Sequence, residues 1–313
     1  MKITLANPRG FCAGVVRAID IVELVLRLEK SVYVLHEIVH NKSVIERLKT
    51  IGVVFVDKLN DIPRGAPCVM SAHGVSKSIK QEAKNRNLKI YDATCPLVAK
   101  VHRKVEHAST NNIDCILIGH KNHPEVVGTV GHYVSKKSNI YIVENVQDVA
   151  TLTVEQPDNL VYVTQTTLSV SHVVQVVSRL RHKYPYIRQF NSSKDICYAT
   201  QNRQDALKNI LTDVDIMIIL GSRNSSNSVR LLEISQQSGV DSYLIDDVQQ
   251  IQIAWFLNKK NCGISSGASA PEILVQKTVK FLSDNIGISI LEERSVAEET
   301  IKFPLPKLLR DLS

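Results

Sequence analysis

With 313 residues, 44% of them hydrophobic and 22% charged, the chain can bury cores in two or three domains and is neither disordered nor fibrous. No apolar run approaches the roughly 20 residues that cross a bilayer, and the start MKITLANPRG lacks a signal-peptide pattern, so a cytoplasmic protein without membrane contact is expected. Its 38 Lys+Arg against 31 Asp+Glu leave +7, which suits an anionic ligand or an acidic partner protein, but no basic run exceeds two residues, as at Lys136-Lys137, so nucleic acid is not expected as a partner.

Short β-branched runs alternate with amphipathic segments, the pattern of parallel strands joined by crossover helices, so the fold class is α/β. In chain order, the strand KITLAN precedes a helix from Val15, followed by the strands VYVLH, PCVMSA and LKIYDA. A helix from Leu97 leads to the strands DCILIG, NIYIVE and LVYVTQ, and a helix from Ser169 to YIRQF. A helix from Asp205, the strand DIMIILG, a helix from Asn227, the strands SYLID and CGISS and a helix from Pro271 complete the pattern.

No sequence identity relates the thirds of the chain, yet one grammar occurs three times: a cysteine at a helix start, the helix, a strand ending in a polar loop, and later a second such strand. The loops are HEIVHN and SAHGVS after Cys12, GHKNHPE and TQTTLS after Cys95, and GSRNSSNS and SSGASAP after Cys197. We expect three small parallel-sheet α/β domains around a shared centre, over residues 13–96, 97–193 and 194–285. KITLAN, within residues 1–12, is expected to complete the third sheet, and residues 286–313 to form a tail wrapping the outside.

In a reducing compartment the six cysteines are thiols, metal ligands or buried apolar groups rather than disulfides. Cys12, Cys95 and Cys197 each follow an extended run and precede a helix, where free N–H groups and the positive end of the helix dipole favour a thiolate. Pro96 suits the first helical position after Cys95. Cys68, Cys115 and Cys262 lie inside strand-like runs, where a thiol is inert core. Three distant cysteines without a CxxC pair fit burial, zinc or an iron–sulfur cluster. In the last case one iron of a four-iron cluster lacks a protein sulfur and can take substrate oxygen as a Lewis acid.

The six polar loops sit where ligands bind in open parallel sheets, beyond the carboxyl ends of the strands. They present His40, His73 and His123, Thr166 and Thr167, Ser225, Ser226 and Asn227, and Ser269, an anion cradle resembling a phosphate site. Singly, each such residue is more often a cap or a surface group. Glu125 follows His123 past a proline. It is either a helix N-terminal charge or, inside a water-poor cavity, a carboxylic acid with a raised pKa suited to proton delivery.

Taken in order, NPRGFCAGV, HEIVHN, SAHGVS, DATCPLV, HPEVVGT, TQTTLS, DICYATQNRQ, GSRNSSNS and SSGASAP resemble the LytB-type iron–sulfur reductases, the 4-hydroxy-3-methylbut-2-enyl diphosphate reductases of the non-mevalonate isoprenoid pathway. The sequence departs from that pattern at Arg223, where lysine is expected, and at Lys121-Asn122, where small residues are usual. The resemblance implies a pseudo-threefold trefoil around a central cavity. It implies one [4Fe-4S] cluster per chain on Cys12, Cys95 and Cys197, with one iron not ligated by protein. It further implies diphosphate contacts from His40, His73, His123, Ser225, Ser226, Asn227 and Ser269, a substrate hydroxyl positioned by Thr166 with Thr167 beside it, and Glu125 as proton donor. The implied partners are a small allylic diphosphate and ferredoxin or flavodoxin as electron donor, with the chain a monomer or homodimer.

Overall fold

The structure is a computed structural model describing residues 1–190 and 194–310. In chain order its elements are β1 (Lys2–Asn7), α1 (Ala13–Glu29), β2 (Val32–Leu35), α2 (Lys42–Thr50), β3 (Val53–Val56), β4 (Pro67–Met70), α3 (Lys77–Asn85), β5 (Lys89–Asp92) and α4 (Pro96–Thr110). These are followed by β6 (Asp114–Ile118), α5 (Pro124–Val130), β7 (Ile140–Val143), α6 (Val146–Thr151), β8 (Leu160–Thr164), α7 (Val170–Lys183) and β9 (Arg188–Gln189). Then come α8 (Tyr198–Leu211), β10 (Ile216–Leu220), α9 (Ser226–Gln237), β11 (Asp241–Ile245), β12 (Asn261–Ser266), α10 (Glu272–Asn285), β13 (Ile290–Ser295) and α11 (Lys307–Arg310).

The strands make three wholly parallel sheets, as the α/β reading requires. Their orders are β11-β10-β12-β1-β13, β3-β2-β4-β5 and β7-β6-β8-β9. The chain forms two compact units: one of Met1–Val16, Val39–Ile51 and Tyr198–Lys302, the other of Arg17–Ile38, Gly52–Cys197 and the segment from Phe303. The five-stranded sheet lies in the first unit and both four-stranded sheets in the second. The expected boundary between residues 193 and 194 touches residues outside those described.

Strands covered by helices on both faces are buried on both sides and mostly apolar. IMIIL of β10, DCILI of β6 and LVYVT of β8 are accordingly buried throughout. In the five-stranded sheet one face sets Ile3, Ile218 and Ile264 against Leu274, Val275 and Leu282 of α10. The other sets Ala6, Met217 and Ile219 against Ala206, Leu207 and Ile210 of α8 and Leu231 of α9. In the second unit, Cys115, Leu117, Val161 and Val163 pack on Val101, Val105 and Ala108 of α4 and Val126 of α5. The helix that Cys95 begins is thereby fixed to a sheet.

Differences from the sequence reading have physical reasons. α2 and α3 were not expected, because KSVIERLKT and KSIKQEAKN carry few apolar residues. Their starts are instead secured by Asn41 and Ser76, whose side chains accept the N–H of Val44 and Ile79, satisfying orphan donors at the first turn. YIRQF contributes only two residues of strand, and the helix expected from Asp205 begins at Tyr198, directly after Cys197. The tail supplies a strand: β13 pairs in parallel with β1 from Lys2↔Ile290 to Asn7↔Ser295, while β1 pairs on its other side with β12. An edge strand is held by backbone hydrogen bonds without apolar alternation, and Ile290 and Leu291 remain about half exposed.

Burying an Ile side chain contributes roughly 1.5–3 kcal/mol, and emptying its place adds a cavity cost. Ile218→Ala is therefore expected to lower unfolding stability by about 2–5 kcal/mol and Leu291→Ala by no more than about 0.5 kcal/mol. Urea unfolding followed by circular dichroism checks the contrast.

Candidate active site

Three of the six cysteines share one local arrangement. The Cys95 N–H donates to the Ala72 carbonyl at 3.0 Å, the Cys197 N–H to Thr166 at 3.0 Å and the Cys12 N–H to Ala268 at 3.1 Å. Ala72 follows β4, Thr166 follows β8 and Ala268 follows β12, so each cysteine is tied just beyond the carboxyl end of a parallel strand. Each also stands immediately before a helix: α1, α4 and α8 start at Ala13, Pro96 and Tyr198. All three are partly exposed, whereas Cys68, Cys115 and Cys262 are fully buried. Burial pushes the Cys68 thiol up to about 11 and the Cys262 thiol up to about 12, and raises Cys115 as well. Burial thus disfavours the thiolate form of those three and leaves them as apolar core.

No cysteine forms a disulfide, and among the described residues no group of three His, Cys, Asp or Glu is placed to hold a metal ion. In a cuboidal cluster each thiolate binds a different iron, so the sulfurs surround a shared core instead of meeting on one ion. Three accessible thiols at helix starts have the donor chemistry that such a cluster takes.

Within the second unit, Glu125 lies in the first turn of α5 and is only 3% exposed. Its Oε1 accepts the Thr166 N–H at 2.6 Å and its Oε2 the Thr166 hydroxyl at 2.9 Å. Burial pushes its carboxyl up to about 7, against the opposing pull of the two Thr166 hydrogen bonds and with a smaller push from Asp195. The acid is thus poised near half protonation at neutral pH. His123 caps the same helix, its Nδ1 accepting the Glu125 N–H at 3.1 Å, so in the neutral ring the proton sits on Nε2. The His73 ring meets the His123 ring edge-on with centroids 5.8 Å apart.

The loop carrying His73 presses closely on the helix carrying Glu125. A Cβ on Gly128 would lie 2.9 Å from the Gly74 carbonyl, and one on Gly131 would collide with Ser76. Gly74 itself has φ +78°, and a side chain there would meet His102 Cε1 at 2.5 Å. Thr167, next to Thr166, accepts from Gln165 Nε2 at 2.9 Å.

The first unit gathers the remaining polar residues. Ser225 caps α9, and the Ser269 hydroxyl donates to the His40 carbonyl at 2.8 Å and lies 3.5 Å from the Ser225 hydroxyl. Asn227, 3% exposed, accepts the Ala268 N–H on Oδ1 at 2.9 Å. Ala268 therefore ties two residues together, since its carbonyl holds Cys12 and its N–H holds Asn227. Ser226 is the first residue of α9, where backbone N–H groups favour an anion.

Twelve expected residues thus fall into two groups. The first unit holds Cys12, His40, Ser225, Ser226, Asn227 and Ser269; the second holds Cys95, Cys197, His73, His123, Glu125 and Thr166.

Some contributors had no signal in the sequence. Lys104 Nζ donates to Asp195 Oδ1 at 2.5 Å with both side chains buried, and Asp195 Oδ2 accepts the Thr164 N–H at 3.0 Å. This pair ties the helix of Cys95 to the segment before Cys197. In an amphipathic helix Lys104 looks like a solvent-facing lysine, and its partner lies 91 residues away.

The family model described as "LytB protein" matches residues 3–283. The chain belongs to the LytB family. Among LytB relatives, the 4-hydroxy-3-methylbut-2-enyl diphosphate reductase of Francisella philomiragia is 53% identical over 312 residues, covering 99% of this chain and 98% of the relative. The reductase of the same name from Francisella tularensis is 53% identical over 311 residues, with 99% and 97% covered. The solved E-1-hydroxy-2-methyl-but-2-enyl-4-diphosphate reductase of Plasmodium falciparum superposes with a TM-score of 0.94 at 42% identity, covering 99% of this chain and 97% of that one. A second solved reductase, titled the terminal enzyme of the non-mevalonate pathway, matches with a TM-score of 0.64 at 32% identity over 91% of this chain and all of that one.

Thr166 stabilises the charged form of Glu125, so Thr166→Val should raise the carboxyl pKa above about 7. A step that needs Glu125 protonated weakens as pH rises through that value. The alkaline limb of a kcat–pH profile is therefore expected to move to higher pH in Thr166→Val, and an unmoved or lowered limb would count against the pairing.

Proposed function

We propose that this chain reduces (E)-4-hydroxy-3-methylbut-2-enyl diphosphate to isopentenyl and dimethylallyl diphosphate, the last step of the non-mevalonate isoprenoid pathway. The observation that carries this reading is Glu125: a buried carboxyl paired to Thr166, in the same unit as two of the three accessible thiols and the adjoining His73 and His123 rings. The names of its LytB relatives support the substrate.

Cys12, Cys95 and Cys197 would hold one [4Fe-4S] cluster per chain, with one iron lacking a protein ligand. Such a cluster supplies single electrons and a Lewis-acidic iron with an open position. The remaining chemistry falls to side chains. His73 and His123, and in the other unit His40, Ser225, Ser226, Asn227 and Ser269, offer N–H, O–H and amide donors to the diphosphate oxygens, with the N-terminus of α9 favouring their charge. Thr166 orients the substrate hydroxyl beside Glu125. Hydroxide leaves poorly, so Glu125 gives its proton to the departing oxygen, which leaves as water. Two electrons and a second proton complete the allyl group, and protonation at either end accounts for two products.

The electrons come from ferredoxin or flavodoxin, acidic proteins that a +7 chain attracts. The protein works in the cytoplasm, and among the described residues no helix is long and apolar enough to cross a membrane. Residues 13–96, 97–193 and 194–285 act as its three domains, with residues 1–12 completing the third and 286–313 as the tail, in a monomer or homodimer.

The test is an anaerobic assay of reconstituted protein with this diphosphate and a one-electron donor. Both isoprenyl products are expected, and none without reductant. Glu125→Gln should keep its iron and bind substrate while turnover drops by roughly 10²–10⁴-fold; undiminished turnover would refute the acid role. Iron and sulfide content should collapse on replacing Cys12, Cys95 or Cys197 with Ser and stay intact in Cys115→Ser.

A further inference from the structure

We propose that Glu299 of the C-terminal tail, acting through the buried Arg203, is a positioning residue that holds the Cys12 loop in the conformation that retains the cluster. The proposal rests on the reading that Cys12 is a cluster ligand. Its evidence lies wholly within the first unit.

Arg203 is on α8 and is fully buried, the bulkiest side chain so enclosed among the described residues. A guanidinium has five N–H donors, and five hydrogen bonds run from it to four oxygens, of Gly10, Ala199 and Glu299. Nε and Nη2 donate to the Gly10 carbonyl at 3.0 and 2.6 Å. Nη1 donates to the Ala199 carbonyl at 2.8 Å and to Glu299 Oε1 at 3.0 Å, and Nη2 reaches Glu299 Oε2 at 3.3 Å. Asn202 Nδ2 adds a further donor to Glu299 Oε1 at 3.1 Å. Glu299 is thus oriented from two side chains and supplies the negative charge that a buried cation needs.

Gly10 lies two residues before Cys12 and has φ +70°, a conformation costly for other residues. Its N–H donates to Ser266 Oγ at 2.8 Å, and the Cys12 N–H donates to Ala268. One side of the loop is therefore pinned to the end of β12. The Arg203 fork clasps the other side through the Gly10 carbonyl. Without Glu299 the guanidinium keeps its charge but loses its counterion, and the clasp on Gly10 must compete with water entering to solvate it. Glu299 also stands beyond the residues 3–283 matched by the family model, so this control belongs to the tail.

The experiment measures iron release to a chelator, followed by loss of cluster absorbance, for anaerobically reconstituted wild type, Glu299→Gln, Glu299→Ala, Arg203→Lys and Cys12→Ser. Thermal midpoints are recorded with and without cluster, and Leu274→Ala, a core variant of the same unit, serves as a control for general destabilisation. We expect iron release about tenfold faster in Glu299→Ala and Arg203→Lys, with Glu299→Gln between them and wild type. Each should exceed the control when compared at equal distance below its own midpoint. Release in Glu299→Ala equal to wild type, or equal to the control, overturns the positioning role. A Cys12→Ser protein that holds its cluster like wild type overturns the ligand assignment itself, and the positioning role falls with it.

Discussion

The amide hydrogen bond that ties each accessible cysteine to the carbonyl beyond a parallel strand is the constraint on which the other features depend. Loops at strand ends are free to move unless their backbone groups find partners. Here Cys12, Cys95 and Cys197 anchor to Ala268, Ala72 and Thr166, and each of those residues belongs to a loop that also presents a polar group: Ser269, His73 and Thr166 itself. A thiol and a polar side chain are therefore positioned by one backbone contact. The same peptide neighbourhood at Thr166 carries the N–H that Glu125 accepts, so thiol, threonine and acid form a single continuous chain of bonds.

Glu125 shows how burial and hydrogen bonding compete. A carboxyl moved from 4.5 to about 7 has had its charged form disfavoured by roughly 3 kcal/mol, and this is what remains after two hydrogen bonds have pulled the other way. Because the folded pKa lies above the unfolded one, this group's contribution to stability falls as pH rises from about 4.5 to about 7 and stays at its lowest above that. A structural carboxylate would be placed to avoid that cost. An acid that donates at neutral pH, the role proposed for Glu125, would gain from it.

Features written in local residue types were legible in the sequence. Cysteine before a helix, proline after Cys95, and Ser, Asn or His at strand ends each leave a local imprint, and the same imprint occurs three times. The parallel sheets were visible because doubly covered strands such as IMIIL are apolar throughout. What escaped was set by distant contacts or by caps. α2 and α3 are polar helices secured at their starts by Asn41 and Ser76. β13 is an edge strand defined by its pairing with β1. Lys104 and Arg203 look like ordinary surface cations until Asp195 and Glu299 are brought to them. The chemical roles of the loops required the family resemblance, since a lone serine or histidine does not name its ligand.

Mössbauer spectra of protein reconstituted with ⁵⁷Fe, recorded before and after adding the hydroxymethylbutenyl diphosphate, test the central claim most directly. Three thiolates on a four-iron core predict one iron whose isomer shift and quadrupole splitting change with substrate while about three others stay as they were. Spectra in which no single iron responds, or in which all irons are equivalently ligated by sulfur, would contradict the account.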